Sequence, residues 1–96
     1  MKIRKEWLER LDDLSKLENN WGYDGEKEIT PMAVHTCKVL LYTVIPHHVR
    51  TKDVFISPDP EGGLEIWCSI RMENDVCFEI GPDGSSVKWQ YPDDEE

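Results

Sequence analysis

Three cysteines and three histidines are the side chains of this 96-residue chain best suited to metal or nucleophilic chemistry. His35 and Cys37 stand two apart, His47 and His48 are adjacent, and Cys68 and Cys77 lie far down the chain. Zinc ligands must be spaced so that they converge, whereas adjacent side chains diverge and residues two apart on a helix occupy different faces. A Cys–His nucleophile built on Cys77 would need an imidazole within hydrogen-bond reach, and no histidine follows residue 48. With twenty acidic residues, carboxylate pairs arise by chance and give no evidence of acid–base catalysis. Gly62-Gly63 leads into a strand pattern and has no lysine after it, so it does not read as a phosphate-cradling loop. These spacings predict no catalytic residue, no metal and no cofactor: the chain reads as a protein that is not an enzyme.

The charge distribution excludes further classes. Net charge is −9, and residues 1–52 hold nine Lys/Arg against eight Asp/Glu, a balance of +1. Residues 53–96 hold Arg71 and Lys88 against twelve acids, a balance of −10. Direct nucleic-acid binding needs clustered cations to replace counterions at phosphates, and anionic membranes need them too. A basic protein partner is permitted, while an acidic surface that only keeps the protein in solution is the plain alternative. No apolar run approaches the roughly 18 residues that span a bilayer, and MKIRKEWLERLDD has no apolar stretch to make it a secretory signal. An odd cysteine set without CxxC fits a reducing, cytoplasmic setting.

The chain length predicts a single domain, 1–96. Ile3, Trp7, Leu8, Leu11, Leu14 and Leu17 recur at steps of three and four, which predicts a helix over about 3–18, ended by Asn19-Asn20. Thr30-Pro31 supplies a hydroxyl cap and a proline at the first helical position. Ala33, Cys37, Leu40, Leu41 and Val44 continue that helix over about 31–45, up to Pro46. Beyond residue 50 the period becomes two, predicting strands over about 53–57, 64–71, 75–80 and 86–91, with 92–96 an acidic tail. The turns PDPEGG, MEND and GPDGS make neighbours antiparallel. The expected architecture is α+β: two N-terminal helices packed on one face of a three- or four-stranded antiparallel meander. For Val87, Trp89 and Tyr91 to share the core face with Val76, Phe78 and Ile80, opposed residue numbers must have an odd sum. That expectation requires a four-residue loop or a bulge, because a three-residue turn closed by Gly81 and Ser85 would set Lys88 opposite Phe78.

The string N20-W21-G22-Y23-D24-G25, then I29-T30-P31 before a helix, P58-D59-P60-E61-G62-G63 leading to E65-I66-W67, and G81-P82-D83-G84 resembles a widespread group of small bacterial proteins. That group carries an N-W-D-G-Y-G-A-like loop, a helix, a G-G…E-W β-hairpin and a late D-G turn. The likeness covers residues 17–91. It departs from the group's pattern at Gly22, at Asp24, and at Glu65, which stands two residues before Trp67. The resemblance implies a prokaryotic or phage origin and an α+β fold, and implies no activity.

In the loop itself, Gly22 and Gly25 allow positive φ, and Trp21 is expected to cap the apolar layer between helices and sheet; Tyr23 fits either a core edge or an exposed handle. On the strands, alternation sends Glu65, Trp67, Ser69, Arg71, Asp75, Cys77, Glu79, Lys88 and Gln90 outward, flanked by Asp59, Glu61, Asp83 and the acidic tail. Trp67 is then an aromatic within a charged rim, the anatomy of a binding hot spot, unless a loop, a terminus or a dimer mate covers it. The expected function is a small acidic protein-binding module that inhibits or neutralises a basic, nucleic-acid-binding protein. Such partners include a nuclease or a CRISPR effector, blocked by nucleic-acid mimicry as an anti-CRISPR or other anti-defence protein would, or a toxin met by an antitoxin or immunity protein. A structural homodimer is the alternative, with a small Cys/His metal protein or enzyme further off; the chain itself is expected to be a monomer or a weak homodimer.

Overall fold

A computed structural model describes residues 5–45, 51–70 and 75–91, with the backbone alone at 51–53, 69, 70, 75, 90 and 91. The MEND turn, His47-His48, Arg71, the acidic tail and the side chain of Asp75 lie outside the described residues. The elements run α1 (Lys5–Ser15), α2 (Pro31–Thr43), β1 (Thr51–Pro58), β2 (Leu64–Ile70), β3 (Asp75–Ile80) and β4 (Ser86–Tyr91). The strands form one antiparallel sheet in the order β1-β2-β3-β4, so the protein is α+β.

Trp7, Leu11 and Leu14 are the buried stripe of α1, one residue per turn. The helix stops before the expected residue 18 because Lys16 and Leu17 turn their N–H groups to the carbonyls three residues back, a tightening that closes a helix end. The α2 start follows from its cap: Thr30 is extended (φ −75, ψ 153) and its Oγ1 accepts the Ala33 N–H at 3.1 Å. Ala33, Cys37 and Leu41 are its buried positions, and they join Trp7, Leu11 and Leu14 in one apolar cluster with Ile56, Leu64, Ile66, Cys68, Val76, Phe78 and Ile80. These strand residues alternate, so a single set of β1, β2 and β3 side chains enters the core. The exposed edge of β1 is partly occupied, since Arg10 Nε donates to Ile56 O at 3.1 Å. A charged side chain on an edge strand discourages strand addition there.

Register departs from expectation at β4. Cys77 stands opposite Trp89, Phe78 opposite Lys88 and Glu79 opposite Val87, an even sum throughout. The turn is a three-residue loop: Gly81 N–H donates to Ser85 O at 2.8 Å, Gly84 N–H to Gly81 O at 2.9 Å, and Gly84 has φ +88. That is a type I turn closed by a left-handed glycine, the usual three-residue hairpin connection. Asp83 Oδ1 locks it by accepting the Ser85 N–H and hydroxyl at 3.0 and 2.7 Å. Two hydroxyls bolt it to the helix, that of the α2 cap, Thr30 Oγ1, donating to Pro82 O at 2.6 Å and Thr36 Oγ1 to Gly84 O at 2.7 Å. Turn chemistry therefore overrides the apolar alternation of β4. Because register has period two, Val87 and Trp89 move to the sheet face opposite the core, and positions 88 and 90, expected outward, pair instead with the core residues Phe78 and Val76.

Candidate functional site

The face opposite the core is read directly from the register. Phe55, Trp67, Cys77 and Trp89 form one row across all four strands, and Ser57, Glu65, Glu79 and Val87 form the next. Phe55 is 62% exposed, Trp89 47% and Val87 50%, while Trp67 is half-buried. Cys77, midway between two tryptophans in the row, is wholly buried although it lies outside the core cluster. This face thus has an apolar layer of its own, and the sequence expectation of a polar face with one aromatic understates it. Trp67 was legible by alternation; Phe55 and Trp89 were missed, the first through no motif and the second through the register error.

Glu65 and Glu79 are directly opposed across β2 and β3. Like charges in that position repel and weaken a sheet. Each carboxylate accepts an indole N–H: Trp67 Nε1 donates to Glu65 Oε1 at 3.0 Å, and Trp89 Nε1 to Glu79 Oε1 at 2.9 Å. Among the described residues neither carboxylate has a cationic partner, and the two ion pairs there, Lys5–Glu9 and Lys16–Asp12, both involve residues in or next to α1. The Cys77 thiol is pushed up to about 12, first by burial and then by the charges of Glu65, Glu79 and Cys68. Burial raises Cys37 to about 12 and Cys68 to about 11. All three are free thiols that stay protonated near neutrality, a state poor in nucleophilic thiolate. Among the described residues no three His, Cys, Asp or Glu side chains gather as a metal site, and no helix is long and apolar enough to cross a membrane.

The remaining sequence candidates sit at one end of the sheet, where the 19–28 loop and the Thr30 cap meet two hairpin turns. Lys27 N–H donates to Pro60 O at 2.8 Å, and Thr30 N–H to Gly62 O at 3.1 Å. Asp59 accepts the Glu61 N–H at 3.1 Å, so it shapes its turn, as Asp83 shapes the other. Glu61 is exposed. These three carboxylates are therefore beside the aromatic rows only by way of the strand ends, and two of them are committed to backbone.

The loop differs from expectation in its details. Positive φ falls on Gly25 (+82) but not on Gly22; Asn20 (+65) and Tyr23 (+66) take it instead. Gly22 is glycine for space, because a Cβ there would run into the Glu26 carboxylate. Glu26 Oε1 accepts the N–H groups of Gly22 and Asp24 at 2.9 and 3.0 Å, Asn20 Oδ1 that of Gly25 at 2.8 Å, and Asn19 Oδ1 that of Glu28 at 2.9 Å. Trp21 lies outside the core cluster, half-buried, with Nε1 donating to Lys27 O at 2.9 Å. It closes the loop from inside. Tyr23 is 90% exposed at the tip.

Two expectations follow for this loop. Trp21→Phe keeps an aromatic six-membered ring but removes the five-membered ring with its donor, so it should cost about 1–2 kcal/mol, one hydrogen bond plus some packing, measured by denaturant melting. The cost should be well under the 3–5 kcal/mol of a core aromatic truncation. The second concerns pH. The Asp24 N–H, foremost, holds the Glu26 carboxyl below its ordinary 4.5. A lowered folded-state value means that stabilisation is present above 4.5 and is lost as pH falls through the lower folded value. Exchange protection of the Gly22 and Asp24 amides should therefore vanish as Glu26 protonates, below pH 4.5. In Glu26→Gln that acid transition should be absent.

A second exposed apolar stripe, Met32, Val39 and Tyr42, lies on α2. It carries no carboxylate and does not extend across elements as the sheet rows do. No protein-family model, curated protein or solved structure matches this chain.

Proposed function

We infer that α1 and α2 both cover the core face of the sheet and leave the opposite face as a protein-docking surface for a basic partner. Support for the helix placement comes from the single cluster that joins Trp7, Leu11, Leu14, Ala33, Cys37 and Leu41 to the inward residues of β1 to β3. The observation that carries the functional reading is the row Phe55–Trp67–Cys77–Trp89, which sets aromatic surface in the open beside two carboxylates that have no cationic partner among the described residues. Exposed aromatics ringed by charge are the composition of interface hot spots.

Charge selects the partner. The chain carries −9, with Glu65 and Glu79 within the face, so a second copy would bring carboxylates against carboxylates, whereas a basic surface complements them. The function is accordingly that of a small, non-enzymatic module, monomeric in itself, that occupies and neutralises the basic surface of a nucleic-acid-binding protein. Nuclease, CRISPR effector and toxin are the partner classes with such surfaces. High thiol pKa values support a non-catalytic reading, and the motif likeness over residues 17–91 supports a prokaryotic or phage source. Capture from bacterial lysate by the parent and by a Glu65→Lys, Glu79→Lys double variant tests this. The parent should retain a basic protein that salt releases and the variant does not bind; equal retention by both would overturn the reading.

A further inference from the structure

We propose that the open sheet face recognises arginine in particular: a guanidinium from the partner lies across the opposed carboxylates of Glu65 and Glu79, stacked against the exposed ring of Trp89. The proposal rests on the docking reading above and names the chemistry of the occupant. Residues directly opposed on neighbouring strands have Cβ atoms about 4.5–5.5 Å apart, so the two carboxylates sit within the reach of one planar cation. One oxygen of each is engaged by an indole N–H, and these bonds orient the carboxylates while leaving Oε2 of each without a partner among the described residues.

A cation between them removes the like-charge repulsion that the register imposes. Arginine and lysine both supply charge, but only guanidinium is planar, offers several N–H groups to two acceptors at once, and stacks on an aromatic face. It is also the more weakly hydrated, which suits a face already lined by Phe55, Cys77 and Val87. Its alkyl stem would lie over that apolar row. Cation–π contact at exposed sites corresponds to roughly a two- to fivefold gain in affinity.

The test is a titration of intrinsic tryptophan emission with an oligoarginine peptide, an oligolysine peptide of equal length and a neutral Gly/Ser peptide. Oligoarginine should bind at least about threefold more tightly than oligolysine, with no saturable response to the neutral peptide. Trp89→Ala should bring the two cationic peptides to equal affinity without abolishing binding. Glu65→Gln with Glu79→Gln should weaken both. Equal affinity of the parent for both cations, with both still lost in the Gln variant, would overturn the arginine inference and leave the docking surface standing. If the Gln and Trp89→Ala variants bind both peptides as the parent does, the docking surface falls as well.

Discussion

Gly63→Ala should destabilise the protein by about 3 kcal/mol, at the upper end of the usual range for overpacking. A Cβ at Gly63 would be driven into the carbonyl oxygen of Ile80, with Ile80 C and Gly81 Cα behind it at 3.2 and 3.3 Å. These are backbone atoms of the neighbouring strand, and they cannot rotate aside as a side chain would. The Leu64–Ile80 pair, where β2 and β3 begin to zip, would be forced apart. Denaturant melting should show a lower midpoint at unchanged slope. Gly25→Ala is the comparison: its φ is +82, yet nothing lies within 4 Å of an added Cβ. It should cost only the left-handed backbone penalty, about 1 kcal/mol. Equal losses at the two sites would mean that close approach does not explain Gly63.

Reversing Glu65 and Glu79 to lysine should have the opposite profile, small in stability and large in binding. The paired like charges remain paired like charges, so the electrostatic cost within the sheet is retained. Two indole N–H bonds are lost, each worth about 1 kcal/mol or less where solvent reaches it. Binding of the basic partner should weaken by a factor of about 100 or more, since two attractive contacts become repulsive. The loss should fall mainly on association where the charges lie at the rim. Trp89→Ala should instead raise the dissociation rate, by about 30-fold if it is an anchor worth 2 kcal/mol. Low salt should enlarge the first effect and leave the second nearly unchanged.

Most of the fold was legible as a change of period. The stripe Trp7, Leu11, Leu14 and the alternation Leu64, Ile66, Cys68 state which side of each element is apolar, and Thr30-Pro31 marks the start of α2 without ambiguity. What failed was β4. Its Val87, Trp89 and Tyr91 look like one more inward set, whereas the turn before them fixes the register. The correcting signal was present: Asp59-Pro60-Glu61-Gly62-Gly63 and Gly81-Pro82-Asp83-Gly84-Ser85 share Pro-x-Gly at the same offsets, and both close as three-residue loops. The bonds that make the second turn rigid reach from Thr30 and Thr36, some fifty residues away, and local pattern cannot display them. Natural sequences break a local rule where function asks for it. Here the rule is broken by Val87 and Trp89, turned away from the core onto the proposed docking face. The loop was half legible: its glycines and asparagines mark it, but the role of Gly22 depends on where Glu26 folds back.

The four tryptophans offer the most direct measurement, because each indole N–H is a separate proton resonance and each sits in a different place. Trp7 is in the core, Trp21 closes the 19–28 loop, and Trp67 and Trp89 lie on the open face. On titration with the captured basic protein, the Trp67 and Trp89 indole signals should shift or broaden while those of Trp7 and Trp21 stay in place. Unmoved Trp67 and Trp89 signals in a saturated complex would contradict the account, and a response confined to Trp21 would assign the contact to the loop that presents Tyr23.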